Sequence, residues 1–405
     1  MYEVEKIRKD FPMIVNHPEL IYFDNGATTY KPQCVIDALT GFYTDYTSNV
    51  ERGEYETAIR ADKAYAHTRE VIGRLIHAKA EEIAFMSNIT AVMNQIAYGL
   101  SSNLQKGDTI LISYAEHASN VLPWFRLKKT LGINIRYIPL DLEGNVILDE
   151  LDAMFDESVK VVSLAYVTNV LGSVQPIKEI TEIAHRHGAL VVVDAAQAIG
   201  HLKIDVQDLG VDFMGFSSHK MCGPDGVGVL YGKYDLLQQM EPIFLGGGMN
   251  ARFDSEGNVS LKDAPERFEA GTPHIEGVIG LAAAADYLMS IGLDNIHRYE
   301  NELHAYLIEK LLPLDNIKIY NPTNPSGPVS FNVKGVFAQD AASYLSTRKI
   351  AVRSGNHCAK ILHNLIGTDQ SIRASMYLYN TREEIERFAE EVSKITLEAT
   401  IDIFL

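Results

Sequence analysis

With 405 residues the chain exceeds the usual span of a single hydrophobic core, which predicts two lobes. Lys and Arg number 36 against 53 Asp and Glu, a net charge of -17 that gives no general attraction for phosphate backbones or anionic lipid and sets nucleic acid and membrane aside as partners. Cys34, Cys222 and Cys358 lie far apart without a CxxC pair or zinc spacing, and neither a signal-like N-terminus nor an apolar run of about 18 residues occurs, so the expectation is a reduced, cytoplasmic chain with no disulfide framework and no structural metal.

From residue 82 onward, short apolar β-rich runs alternate with helical periodicity. Strands are predicted over 82–86, 108–113, 134–138, 160–165, 190–194, 212–216 and 227–231, with helices over 90–100, 121–131 and 177–187, the last closed by Gly188 as a C-cap. Such alternation reads as α/β, a mainly parallel seven-stranded sheet with helices on both faces. It stops near Gly232. Beyond a stretch holding Gly246, Gly247 and Gly248, helices are predicted over 275–290 and 295–311, a loop over 321–325, and strands over 330–333 and 351–353. Thr381 and Glu384 form a capping box opening a helix with Ile385, Phe388, Ala389, Val392 and Ile395 on one face. The division expected is a large lobe over 25–285 and a smaller α+β lobe built from 1–24 and 286–405.

In an open parallel sheet ligands bind beyond the carboxyl ends of the strands, and chemically capable residues fall there one after another. Asn88 and Thr90 follow the first strand, His117 the second, Asn169 the fourth, Asp194 and Gln197 the fifth, and Ser217, His219 and Lys220 the sixth. A lysine amine forms a Schiff base with a carbonyl, so Lys220 is the candidate to bind an aldehyde cofactor such as pyridoxal phosphate. Each neighbour also has a plainer reading. Asp194 either caps the next turn or pairs with a protonated pyridine nitrogen, and His117 is either an ordinary satisfied histidine or a ring stacked on another. Thr90 is a helix N-cap or, compatibly, part of a phosphate site at a helix start. Cys34 reads as a small buried hydrophobe.

Several segments follow in order through nearly the whole chain: 22–29, Glu116-His117-Ala118-Ser119-Asn120, Thr168-Asn169-Val170-Leu171-Gly172, Val193-Asp194-Ala195-Ala196-Gln197, 216–228, 267–273, Arg353-Ser354-Gly355-Asn356-His357-Cys358-Ala359 and Arg373-Ala374-Ser375. Together they resemble the class V aminotransferase family of pyridoxal phosphate enzymes, and within it the group II cysteine desulfurases that supply sulfur for iron–sulfur cluster assembly. The resemblance implies the fold type I architecture of such transferases, with pyridoxal 5'-phosphate held by Lys220, which also moves the substrate α-proton. It implies that Asp194 pairs with the pyridine nitrogen, His117 stacks on the ring and serves with Lys220 and Cys358 in catalysis, and Gln197 bonds the phenolic oxygen. Thr90, Ser217 and His219 would bind the phosphate, with Thr272 contributed by the other subunit of a homodimer. Arg373 would grip the substrate carboxylate beside Asn169, which also borders the cofactor, and the small lobe would supply Arg353 and Cys358.

Cys358 decides between reaction types, because an aminotransferase needs no thiol and a desulfurase uses one as nucleophile. His357 adjoins it, Arg353 is near in sequence, and Gly355 and Asn356 suit an exposed turn, a setting that favours thiolate character. On this reading L-cysteine loses its α-proton, the Cys358 thiolate attacks the substrate sulfur, alanine leaves, and a persulfide remains for a sulfur-acceptor protein. The alternatives are a selenocysteine lyase, another class V aminotransferase or epimerase, and a non-catalytic cofactor-binding scaffold. Five positions depart from the family pattern: Ile89 where a threonine usually precedes Thr90, Tyr55 in place of a histidine, Asn356 in place of a histidine before His357, and Met249-Asn250 where Glu-Met is usual.

Overall fold

The computed structural model describes residues 2–403. Seven strands form the large sheet: β1 (Ile83–Met86), β2 (Thr109–Ser113), β3 (Asn134–Ile138), β4 (Val159–Ala165), β5 (Leu190–Asp194), β6 (Phe213–Ser217) and β7 (Gly228–Gly232). Their spatial order is β1-β7-β6-β5-β4-β2-β3. All neighbours run parallel except β7, which is antiparallel to both β1 and β6. The sheet is therefore mixed and mainly parallel.

Alternate side chains along each strand feed two separate cores, as the two-residue period of a strand requires. Val162, Val193 and Met214 pack on one face with the helices Glu56–Ile76, Ile177–Arg186 and Ile275–Ile291. Their sequence neighbours Val161, Val192 and Phe213 pack on the other with Ile89–Leu100 and Leu122–Leu131. Burial on both faces explains why these strands are continuous apolar runs. Helix Ile177–Arg186 ends as its sequence predicts: Gly188 sits at φ 74, and Ala189 N donates to Ala184 O at 2.9 Å, a left-handed closure that glycine adopts without strain.

A second sheet of four antiparallel strands takes the order β8 (Ile317–Ile319), β9 (Val329–Val333), β11 (Ser371–Ala374) and β10 (Arg353–Gly355). Its core gathers Phe331, Ile372, Leu303, Leu307 and the face Ile385, Phe388, Val392 of helix Arg382–Ser393, whose Thr381–Glu384 capping box is formed. Ile21 and Phe23 join this core, whereas Phe11 belongs to the large one.

The predicted strand over 351–353 is divided. Ile350–Ala351 pairs in parallel with Ile21–Tyr22, while Arg353–Gly355 turns away to pair with β11. That break aims β10 and the following residues at the end of the large sheet where β2 and β4 finish. Among the described residues no single helix is long and apolar enough to cross a membrane.

Candidate active site

The carboxyl ends of β1, β2, β4, β5 and β6 open on one cleft of about 690 Å³. Thr90, His117, Asn169, Gln197, Ser217, His219, Lys220, Arg353 and Arg373 all line it. The structure thus brings together most of the residues that sequence placed on the rim, and adds two arginines from the second sheet. Asp194, Cys358 and Thr272 are not in its lining.

At the first strand end, Asn88 caps helix Ile89–Leu100: its Oδ1 accepts Ala91 N at 3.0 Å. Thr90 is therefore not the cap, and its hydroxyl is bonded to Ser119 Oγ at 2.7 Å. Ser217 Oγ accepts Ile89 N at 2.8 Å, which leaves the hydroxyl proton free to donate into the cleft. The Ile89 side chain is buried in the core beside Val92 and its backbone N–H is taken by Ser217 Oγ, so this position gives the site no donor in place of the missing hydroxyl.

Lys220 ends a short turn, Ser218–Lys220, pinned by Thr29 N donating to His219 O at 2.9 Å. Burial pushes its ammonium down to about 8; the guanidinium groups of Arg373 and Arg353 add to the shift and Asp194 opposes it. His117 Nδ1 accepts Ser119 N at 3.1 Å, which places the ring proton on Nε2. Burial, then the charges of Lys220, Arg353 and Arg373, hold this imidazole at about 4, so it is a neutral ring at pH 7. His219 is likewise held at about 4, chiefly by burial.

Asp194 ends β5 fully inside the protein, and one oxygen accepts Ala196 N at 2.9 Å. Burial raises its carboxyl, opposed by that N–H and by Lys220. The cap reading and the cation-partner reading are thus compatible: one oxygen closes the turn, and the buried charge retains a need for a cation. Gln197 Nε2 donates to Gly26 O at 2.9 Å.

Arg373, 2% exposed on β11, reaches the cleft from the four-stranded sheet. It donates to Asn169 O at 2.9 Å and meets Asp24 Oδ1 at 3.3 Å, and its Nε has no partner. Burial pulls the guanidinium down to about 10, with Asp24 opposing. Asp24 received no role from sequence, although it lies in the 22–29 segment; its contribution is to hold this arginine. A Cβ on Gly26 would stand 2.9 Å from Arg373 Cζ, so only glycine fits beneath the guanidinium.

Cys358 is exposed, and its loop is tied to the rim. Ala118 N, next to His117, donates to Cys358 O at 2.8 Å, and Asn169 Nδ2 donates to His357 O at 2.7 Å. Asn356 Oδ1 accepts Cys358 N at 3.1 Å. One expectation is corrected: His357 does not assist the thiol as a cation. Its ring is turned inward, with Nε2 3.0 Å from Ser371 O, and burial holds it down to about 2. A second correction concerns Cys34, which is exposed; on helix Gln33–Asp45 the inward positions are Val35 and Phe42, and the buried thiol is Cys222. Thr272 is exposed outside the cleft, near Asn49. Tyr55 is exposed at the start of helix Glu56–Ile76, and Met249 is buried. No group of His, Cys, Asp and Glu suited to a metal ion occurs among the described residues.

The family model described as aminotransferase class-V matches residues 21–388. The chain belongs to the class-V aminotransferase family. A relative from Halalkalibacterium halodurans, named a probable cysteine desulfurase, is 44% identical over 96% of this chain and 97% of its own. The apo structure of a cysteine desulfurase from Thermococcus onnurineus superposes with a TM-score of 0.93 at 39% identity, covering 96% of this chain and 97% of that one. An Escherichia coli cysteine desulfurase in an S-sulfonic acid form superposes at 0.91 with 30% identity, covering 100% and 99%. In this class-V aminotransferase the cleft suits a phosphorylated pyridine aldehyde by its own donor set. The free Ser217 proton, the Thr90 hydroxyl and a helix start suit the anionic end, Asp194, behind the lining and close enough to act on Lys220, is the anion available to a protonated ring nitrogen, and the buried Asn169 Oδ1 and Arg373 Nε remain to be satisfied.

Proposed function

We propose that this class-V aminotransferase is a pyridoxal phosphate-dependent cysteine desulfurase that converts L-cysteine to L-alanine and leaves a persulfide on Cys358. The observation carrying the reading is the 2.8 Å bond from Ala118 N to Cys358 O, which holds a thiol loop beside His117 on the rim of the Lys220 cleft. Bound pyridoxal phosphate supplies an electron sink that makes the α-proton of an attached amino acid acidic. The remaining work falls to side chains. Lys220 would hold the aldehyde and, when free, accept the α-proton of the substrate; Asp194 would hold the charge of a protonated ring nitrogen, and neutral His117 would face the ring. Gln197, Thr90, Ser217 and His219 fix the other polar edges, and Arg373 and Arg353 face the substrate carboxylate beside Asn169. Cys358 thiolate attacks the substrate sulfur: an S–S bond forms, the Cβ–S bond breaks with its electron pair going to carbon, and protonation yields alanine.

The persulfide then passes its outer sulfur to a thiol of an acceptor protein, in the service of iron–sulfur cluster assembly or related sulfur transfer within a reducing cytoplasm. The working unit in this reading is a homodimer in which Thr272 serves the neighbouring subunit's phosphate site. The lobe over 25–285 holds the cofactor, and residues 1–24 and 286–405 carry Cys358.

The direct test supplies L-cysteine and dithiothreitol to purified holoprotein. Alanine and sulfide should appear in equal amounts without any 2-oxo acid. Alanine formed only when a 2-oxo acid is added would instead establish an aminotransferase, and turnover confined to L-selenocysteine a lyase. Two variants address the carboxylate grip. Arg373→Lys retains charge but loses the planar fork, and is expected to raise KM for L-cysteine about 10- to 100-fold, the scale of one or two lost charge-assisted hydrogen bonds. Gly26→Ala, which pushes the same guanidinium aside, should raise KM roughly tenfold or more while leaving the cofactor's colour unchanged. Steady-state kinetics with matched absorbance spectra check both.

A further inference from the structure

We infer that Asn169 is a positioning residue that latches the Cys358 loop to the large lobe; the inference rests on the desulfurase reading for what the loop delivers. Asn169 lies in the turn after β4, and that turn is fixed independently of its side chain. Asn321 and Asn324 Nδ2 donate to Leu171 O at 2.8 and 2.6 Å, and Ser330 Oγ donates to Val170 O at 2.6 Å. Val170 and Leu171 also share a small apolar cluster with Ala115, Ala359 and Leu362, which seats the chain just after Cys358. From this fixed base the Asn169 amide reaches His357 O at 2.7 Å.

The latch has something to restrain. His357 and Cys358 have φ of 50° and 56°, two successive non-glycine residues in the left-handed region, a conformation that persists only where surrounding bonds impose it. The bonds from the large lobe to these two residues come from Asn169 Nδ2 and Ala118 N. The other half of the same amide, Asn169 Oδ1, is buried without a donor and borders the cleft. One side chain therefore joins the nucleophile's loop to the space where substrate binds. Releasing it lets the loop leave the rim.

The test uses holoprotein and measures iodoacetamide alkylation of each cysteine by mass spectrometry, with exposed Cys34 as internal reference. Asn169→Asp keeps an acceptor toward the cleft but sets an oxygen against His357 O. Ala118→Pro replaces the second tether's N–H by a ring Cδ set against Cys358 O, and the backbone before it tolerates the change, because His117 already has φ -67 and ψ 148, compatible with a following proline. Each variant should raise the Cys358-to-Cys34 alkylation ratio at least threefold, and Ala118→Pro should lower kcat for sulfide about tenfold with KM changed less than threefold. A ratio unchanged or lowered in the Asn169 variant overturns the latch, whatever Ala118→Pro shows. If Asn169→Asp fails to fold, Asn169→Ala, which removes the amide and its bond to His357 O without adding a charge, is read in its place. Wild-type protein that made no sulfide would refute the desulfurase reading and leave the alkylation comparison intact.

Discussion

Replacing Cys358 by serine is expected to leave the holoprotein folded and coloured while lowering sulfide and alanine release from L-cysteine by about a hundredfold or more, the cost of losing an activated nucleophile. Serine preserves the backbone bonds to Asn356 and Ala118 that shape the loop, so the loss falls on the reacting atom alone. A serine hydroxyl is not ionised near neutral pH, and no persulfide can form on oxygen. Nor can a neighbour compensate, since His357 is turned toward Ser371 and stays neutral. Mass spectrometry after one turnover should find one added sulfur atom on Cys358 in the wild type and none in the variant. Cys34→Ser is the control: that thiol sits on helix Gln33–Asp45, outside the cleft, and its loss should change neither rate nor sulfur count. Alanine production untouched by Cys358→Ser would remove the desulfurase reading and favour another class-V reaction.

The sheet was legible because its inner strands are buried on both faces. A run such as Val191-Val192-Val193 has no polar alternation to misread, and the predicted bounds of β5 coincide with those observed. The rim residues followed from the same strands, since a side chain just past a strand's carboxyl end has little choice of direction. What escaped were features fixed by contacts remote in sequence. The helix Glu56–Ile76 shows its apolar face only against Ile275–Ile291, and the hairpin Asn250–Phe253 with Val259–Leu261 is too polar for its two-residue period to stand out. The inward turn of His357 depends on a left-handed backbone and on Ser371, neither of which residue type announces. Asp24 was visible as part of a motif, but its role depends on a guanidinium 349 residues away in sequence. Most of the rim residues named from sequence therefore line one cleft, whereas their protonation and pairing needed coordinates.

Replacing Lys220 by alanine is expected to abolish the visible band of lysine-bound cofactor and to lower turnover about a thousandfold or more, because one amine serves both as anchor and as proton carrier. The pH dependence of cofactor capture makes the same residue testable in the wild type. Attack on the aldehyde requires the neutral amine. An ammonium at about 8 is neutral in about one molecule in ten at pH 7, whereas an ordinary lysine near 10.5 would be neutral in about one in three thousand. The sign follows from the cause: burial and the nearby guanidinium groups disfavour the charged form, so lowering the pH below about 8 removes the reactive species, and raising it above about 8 gains nothing further. Apoprotein mixed with pyridoxal phosphate should therefore bind it at a rate rising about tenfold per pH unit below that point and level above it. Replacing Asp194 by asparagine removes the anion that opposes the shift, so the plateau should begin at lower pH even as the holoprotein becomes less active. A capture rate still climbing at pH 10 would mean that Lys220 keeps the solvent-exposed character of a surface lysine, and the cleft as described would not be the site of attachment.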